Sequence, residues 1–144
     1  MSPNTGVGVM LLRNNEILLG KRNSDPVKAE SALHGEGTWT VPGGKMEFRE
    51  TFEESAHREV LEETGIKIGN TKIISLSNEV VEDAHFVTIG MLCEDFSGEA
   101  SIREEDITEW KWFPLDKLPE PIFPPARKII DNYMQKRLYK IGDK

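Results

Sequence analysis

The sequence predicts an α/β/α sandwich. Two observations predict it: β-prone runs recur along most of the chain, and two helical segments lie far apart, at 51–64 and 124–139. Strands interleaved with two distant helices bury one face of each element most simply as helix layers on a central sheet.

Gly6 to Leu12 reads as the first strand, Asn14-Asn15 as a turn, and Ile17 to Arg22 as the returning strand. Asn23 to Gly37 is polar and irregular, with Pro26 and two glycines. It is expected to be a long surface loop, and loops of that length often carry function. Thr38 to Val41 is β-prone and runs into Pro42-Gly43-Gly44, a turn signal. Thr51 to Thr64 holds strong helix formers and no Gly or Pro until Gly65. Thr51 with Glu54 makes a capping box, acids suit the positive end of the dipole, and Gly65 stops the helix. Lys67 to Val80 reads as one or two strands, interrupted around Gly69-Asn70, and His85 to Cys93 as another. Glu94 to Asp106 is a loop. Ile107 to Phe113 alternates polar and aromatic residues at its end, as in a half-buried strand. Pro124-Pro125 starts a final helix through Tyr139, with Ile129, Ile130, Tyr133 and Met134 at helical spacing.

The 144 residues fit one domain, 1–144, with a real core. A net charge of −7 argues against a generic nucleic-acid binder, which needs basic patches. No run approaches the length of a membrane span, and no targeting segment is visible. Cys93 is the only cysteine, so no disulfide can form within the chain. These features predict a cytoplasmic protein without nucleic-acid or membrane partners.

The chemistry concentrates between Gly43 and Gly65. Glu59, Glu62 and Glu63 are spaced i, i+3, i+4, so the first faces both others across one turn. Carboxylates held that close repel each other unless a cation sits among them. Hard oxygen ligands suit Mg²⁺ or Mn²⁺. An acidic triplet alone is most often a solvated helix face. Here its neighbours argue otherwise. Arg58 lies four residues before Glu62 and eight after Glu50, placed to pair with carboxylates. Gly43 and Gly44 let backbone approach a ligand without Cβ obstruction.

The frame Gly44, five residues, Glu50, seven residues, then Arg58-Glu59-Val60-Leu61-Glu62-Glu63-Thr64-Gly65-Ile66 resembles the signature of the Nudix (MutT-type) hydrolases at every defined position. The resemblance implies an α/β/α sandwich with a mixed sheet. It also implies metal-dependent cleavage of a diphosphate linkage in a nucleotide, a small-molecule substrate. By the same resemblance Glu59, Glu62 and Glu63 ligate Mg²⁺ or Mn²⁺, with Glu59 or Glu62 as the base, and the Gly43 carbonyl completes the metal shell. Arg58 and Glu50 orient the ligands, with Glu47 further out. Relatives often carry a catalytic or metal-binding Glu before the last strand; in Arg103-Glu104-Glu105-Asp106 the better match for that role is Glu105 and the second Glu104. Leu18 to Arg22 and Trp110-Lys111-Trp112 look like the small nucleoside-triphosphate-cleaving members. There Arg22 would contact phosphates or base, Phe123 would enclose the base, and Gly44 would lie along the substrate. His34 and His85 are secondary candidates to line the site. ADP-ribose is the alternative substrate, a non-catalytic nucleotide-sensing module the alternative class, and homodimers are common in the family.

Overall fold

The structure, a computed structural model, describes residues 2–144. Its centre is β1 (Asn4–Arg13), whose side chains alternate between two cores. Val7, Val9 and Leu11 face one core with Leu18, Ile89 and Met91. Met10 and Leu12 face the other with Ile17, Leu19 and Val41. Period-two alternation in a buried strand demands a hydrophobic layer on each side. Helix α1 (Phe52–Thr64) supplies Ala56 and Val60 to the first core. Helix α2 (Pro124–Met134) supplies Ala126, Ile129 and Ile130 to the second. The result is the expected α/β/α sandwich.

The remaining strands are β2 (Glu16–Arg22), β3 (Trp39–Thr40), β4 (Gly43–Lys45), β5 (Lys67–Ile68), β6 (Lys72–Val81), β7 (Ala84–Cys93), β8 (Phe96–Ser97) and β9 (Ile107–Pro114). The main sheet runs β3-β2-β1-β7-β6, with β9 on β2 and β4 on β1, while β5 and β8 form a separate pair. It is mixed: β1 and β7 are parallel, from Asn4 opposite Phe86 to Leu11 opposite Cys93, and the other pairs are antiparallel. Along its other edge β1 changes partner. Gly6 to Gly8 pair with β4, whereas Leu12 and Arg13 pair with β2. The sheet therefore parts between β4 and β2, and a cavity of about 380 Å³ sits there.

Three elements differ from expectation. Gly43-Gly44-Lys45 is a short strand rather than part of a turn, because the glycines of β4 lie directly against the backbone of β1. The loop after β7 contains β8, paired to β5 through Ile68 and Phe96. The final helix stops at Met134, five residues before Tyr139. Lys136 adopts a left-handed φ of 55°, the Arg137 N–H donates to the Asn132 carbonyl at 3.0 Å, and Leu138 accepts from the Leu76 N–H at 2.9 Å. The chain thus leaves the helix to cover the edge of β6. Among the described residues no helix is long and apolar enough to cross a membrane.

That edge carries an ion cluster. Asp143 accepts from the Asn78 N–H at 2.8 Å and pairs with Lys128 at 2.9 Å, and Lys128 pairs with Glu79 at 3.1 Å. Burial pushes Asp143 upward, but the Asn78 N–H and Lys128 outweigh it and hold the carboxyl below the usual aspartate range. A lowered carboxyl stabilises the fold above its unfolded pKa, and that stability disappears as pH falls through the folded one. Asp143→Asn is expected to cost about 1 kcal/mol at pH 7. The difference should shrink towards zero below roughly pH 4. Urea unfolding at several pH values measures both; a cost independent of pH would contradict the charge-based account.

Candidate active site

Helix α1 has its register fixed at both ends. The Thr51 side chain accepts from the Glu54 N–H at 3.1 Å, and the Glu54 carboxylate accepts from the Thr51 N–H at 2.9 Å. The predicted capping box is therefore formed. At the other end Gly65 has φ 83° and donates to the Leu61 carbonyl at 2.9 Å. With Ala56, Val60 and Thr64 buried, Arg58, Glu59, Glu62 and Glu63 fall on the side towards β4 and the acidic loop before β9.

Arg58 organises this face. Its Nε and Nη2 donate to the two oxygens of Glu50 at 2.6 and 2.9 Å. Nη1 donates to Glu59 at 2.6 Å and to Glu62 at 3.3 Å, and Nη2 also reaches the Lys45 carbonyl at 3.1 Å. Glu47 is exposed, 3.6 Å from Arg58, and its N–H donates to Glu50 at 2.7 Å. The fork from Arg58 holds the Glu50 carboxyl at about 2. These are charge-assisted, bidentate contacts, which fix geometry as well as charge.

Glu63 is the buried member of the cluster, 8% exposed, and its Oε1 accepts from the Gly43 N–H at 3.1 Å. Burial pushes its carboxyl well above the usual range, helped by the charges of Asp106, Glu59 and Glu104, while the Gly43 N–H opposes. Glu59 is also raised by burial and by the charge of Glu62, with Arg58 opposing. Gly44 leaves room beside them: a Cβ there would overlap the Glu59 carboxylate where Arg58 holds it. A Cβ on Gly43 would overlap the Val7 carbonyl of β1. The glycine pair thus lets strand, helix and carboxylates meet at one point.

Of the acidic stretch before β9, Glu104 and Asp106 are the members whose charges act on Glu63. Glu104 is itself raised by burial and by Asp106, Glu59 and Glu62. Glu105 is exposed, and its carbonyl accepts from Asn23 Nδ2 at 2.9 Å. Asp106 went unmarked in the sequence. It lines the cavity, its Oδ1 is buried without a hydrogen-bond partner among the described residues, and burial raises its carboxyl. Its position just before the buried Ile107 of β9 was the available signal.

Gly43, Gly44, Glu63, Asp106, Arg22 and Phe123 all line the cavity. Arg22, however, directs its guanidinium to the 23–37 loop: Nε donates to the Gly35 carbonyl at 2.9 Å and Nη2 to Ala29 at 2.6 Å. The same guanidinium lies 4.3 Å over the Phe123 ring. His34 is exposed on that loop, and His85 sits 3.3 Å from the Asn78 side chain.

The donor chemistry fits a hard divalent cation. Glu63 is buried and Glu59 half-buried, one turn apart on α1 with like charge, and Glu63 has one N–H, that of Gly43, facing it. Such a pair ionises readily only when positive charge arrives. A closed cage is not preformed: among the described residues no three acidic, His or Cys side chains converge around one point. Hydrated Mg²⁺ bound by one or two carboxylates and substrate phosphates needs no such cage.

Residues 2–133 match the NUDIX domain family model. The chain is 37% identical over 127 residues to the NAD-capped RNA hydrolase NudC of Mannheimia succiniciproducens, covering 85% of this chain and 45% of that protein. It thus spans about half the length of this relative. It is 31% identical over 137 residues to the ADP-ribose pyrophosphatase of Methanocaldococcus jannaschii, covering 94% of this chain and 75% of that one. Among solved structures, the MutT NUDIX hydrolase from Burkholderia pseudomallei superimposes with a TM-score of 0.81 at 30% identity, covering 92% of this chain and 98% of its own.

Proposed function

The chain belongs to the Nudix family, whose hydrolases act on phosphoric anhydride bonds, and from that premise we propose that it is a Mg²⁺- or Mn²⁺-dependent nucleotide pyrophosphohydrolase. The favoured substrates are (d)NTPs or modified purine NTPs, cut to NMP and pyrophosphate. One observation carries this reading: the buried Glu63 and the glycine pair line the same cavity as Leu33, Phe86 and Phe123. Phosphates belong beside the carboxylate and glycines, and a nucleoside beside the apolar side chains.

Glu59, Glu62, Glu63 and the Gly43 carbonyl would hold the metal, with Glu104, Glu105 and Asp106 as the neighbouring acids. A bound divalent ion neutralises phosphoryl charge and lowers the pKa of water. The chain's own residues do the rest. Arg58 engages Glu59 Oε1, leaving Oε2, beside Gly44, as the oxygen available to receive a proton from the attacking water. Glu50 keeps Arg58 in place through two hydrogen bonds. Glu62, half-exposed, can relay a proton outward. Positioning of this kind supplies most of the acceleration in phosphoryl transfer. A cytoplasmic location belongs to the same reading, supported by the lone, buried Cys93.

The ADP-ribose pyrophosphatase match favours a second reading, cleavage of ADP-ribose at the same site by the same residues. The test is a panel of ordinary and oxidised (d)NTPs, ADP-ribose, NAD and NAD-capped RNA with Mg²⁺, products separated by chromatography. NMP and pyrophosphate from triphosphates, abolished by EDTA, are expected. Cleavage of ADP-ribose alone to AMP and ribose phosphate would replace the substrate and keep the site. Binding of nucleotide without turnover would favour a sensing module and defeat the proposal.

A further inference from the structure

The 23–37 segment is the longest stretch of the chain outside strand and helix, yet it lies against the cavity through Glu30, Ser31, Ala32 and Leu33. Arg22, at the end of β2, ties both halves of it to the sheet. Its Nε and Nη2 donate to the carbonyls of Gly35 and Ala29, at 2.9 and 2.6 Å. Its flat face rests on Phe123, 4.3 Å from the ring centroid. The loop is seated where those bonds end. Ala29 is only 2% exposed between the exposed Lys28 and Glu30. Gly35 is buried so tightly on the Phe123 ring that a Cβ would overlap it. Backbone pairing closes the base of the loop: Arg22 donates to Thr38 at 2.8 Å, and Gly37 donates back to Arg22 at 3.2 Å.

We propose that Arg22 is a positioning residue: it fastens the 23–37 segment onto Phe123, so that residues 30–33 stand as the nucleoside-side wall of the cavity and select the base. This rests on the reading of the cavity as a nucleotide site. The guanidinium faces backbone oxygens and an aromatic ring, a fork-and-stack arrangement that lysine cannot reproduce. Arg22 therefore acts on the substrate through the loop and not through the phosphates.

Two variants separate these roles. Arg22→Lys removes the fork and keeps the charge. Gly35→Ala keeps Arg22 and lifts the loop off Phe123. Calorimetry with Mg²⁺ would compare AMP, GMP and inorganic pyrophosphate, and hydrogen exchange would follow the amides of Ala29 and His34, which donate within the loop to Asp25 and Ser31. Both variants should weaken AMP and GMP by about tenfold, narrow the difference between them, leave pyrophosphate within about twofold, and speed exchange by about tenfold or more. Unchanged loop exchange in both variants overturns the proposal. Weakened pyrophosphate in Arg22→Lys, with none in Gly35→Ala, also overturns it and makes Arg22 a direct phosphate ligand. Wild-type protein that binds neither nucleotide nor pyrophosphate overturns the nucleotide reading and the wall's role in selection, while the exchange result still decides the fastening itself.

Discussion

Glu59→Gln and Glu63→Gln are each expected to lower kcat by about 10³-fold or more, the loss of several kcal/mol of charge stabilisation. Both changes are isosteric, and both remove an anionic oxygen from the group that would hold the metal. Glu63→Gln keeps an acceptor for the Gly43 N–H, so the junction of β4 and α1 should survive. Its metal-free stability should match or exceed that of the wild type above roughly pH 4–5. The sign follows from burial: the Glu63 carboxyl is raised in the folded state, so the wild type loses stability as pH rises past the unfolded pKa. Steady-state kinetics across a Mg²⁺ titration, with thermal melting in EDTA, measure both effects. Turnover within tenfold of wild type in both variants would falsify the roles assigned to these carboxylates.

Arg58→Met should reduce turnover and metal affinity by about 10–100-fold, the usual loss when a ligand's outer partner is removed. Arg58 is the one cation hydrogen-bonded to Glu50, Glu59 and Glu62 among the described residues. Without it three acids repel one another, and the Glu50 carboxyl should return from about 2 towards the ordinary glutamate range. Melting temperature should fall as well, with most of the loss recovered at high salt. Arg58→Lys keeps the charge but cannot make the fork, so it should land between the two. NMR titration of Glu50 together with kcat would decide; wild-type metal affinity in Arg58→Met would show that Arg58 orients nothing.

Helix α1 was legible because its signals are local. Thr51, Glu54 and Gly65 set its ends with hydrogen bonds spanning no more than four residues. The spacing of Arg58, Glu59, Glu62 and Glu63 then follows from helix geometry. Strand β4 was hidden because Gly43 and Gly44 carry no β preference of their own; they pair only because β1 is alongside. The end of α2 was hidden for a similar reason. No Gly or Pro follows Met134 directly, and the chain turns away to satisfy Leu76 on a strand far back in the sequence. Arg22 illustrates a different limit. Its charge and position suggest a contact to phosphates or base; the carbonyls it also binds, 7 and 13 residues further on, are encoded by no local pattern.

The parallel pairing of β1 with β7 has a bearing on how the protein is made. Residues 4–11 have no neighbour on that edge until residues 86–93 arrive. Helix α1 carries its own caps, but its apolar face waits for a sheet that does not yet exist when it leaves the ribosome. Contacts so distant along the chain are slow to form, and they leave apolar surface open in the meantime. The far wall of the cavity depends on Phe86 and on Ile129 of α2, so it is completed later still. Vectorial synthesis therefore delivers the acidic helix early and the cavity last. A stalled chain would display the carboxylates without the far wall of the cavity, and catalytic competence should appear in a single late step.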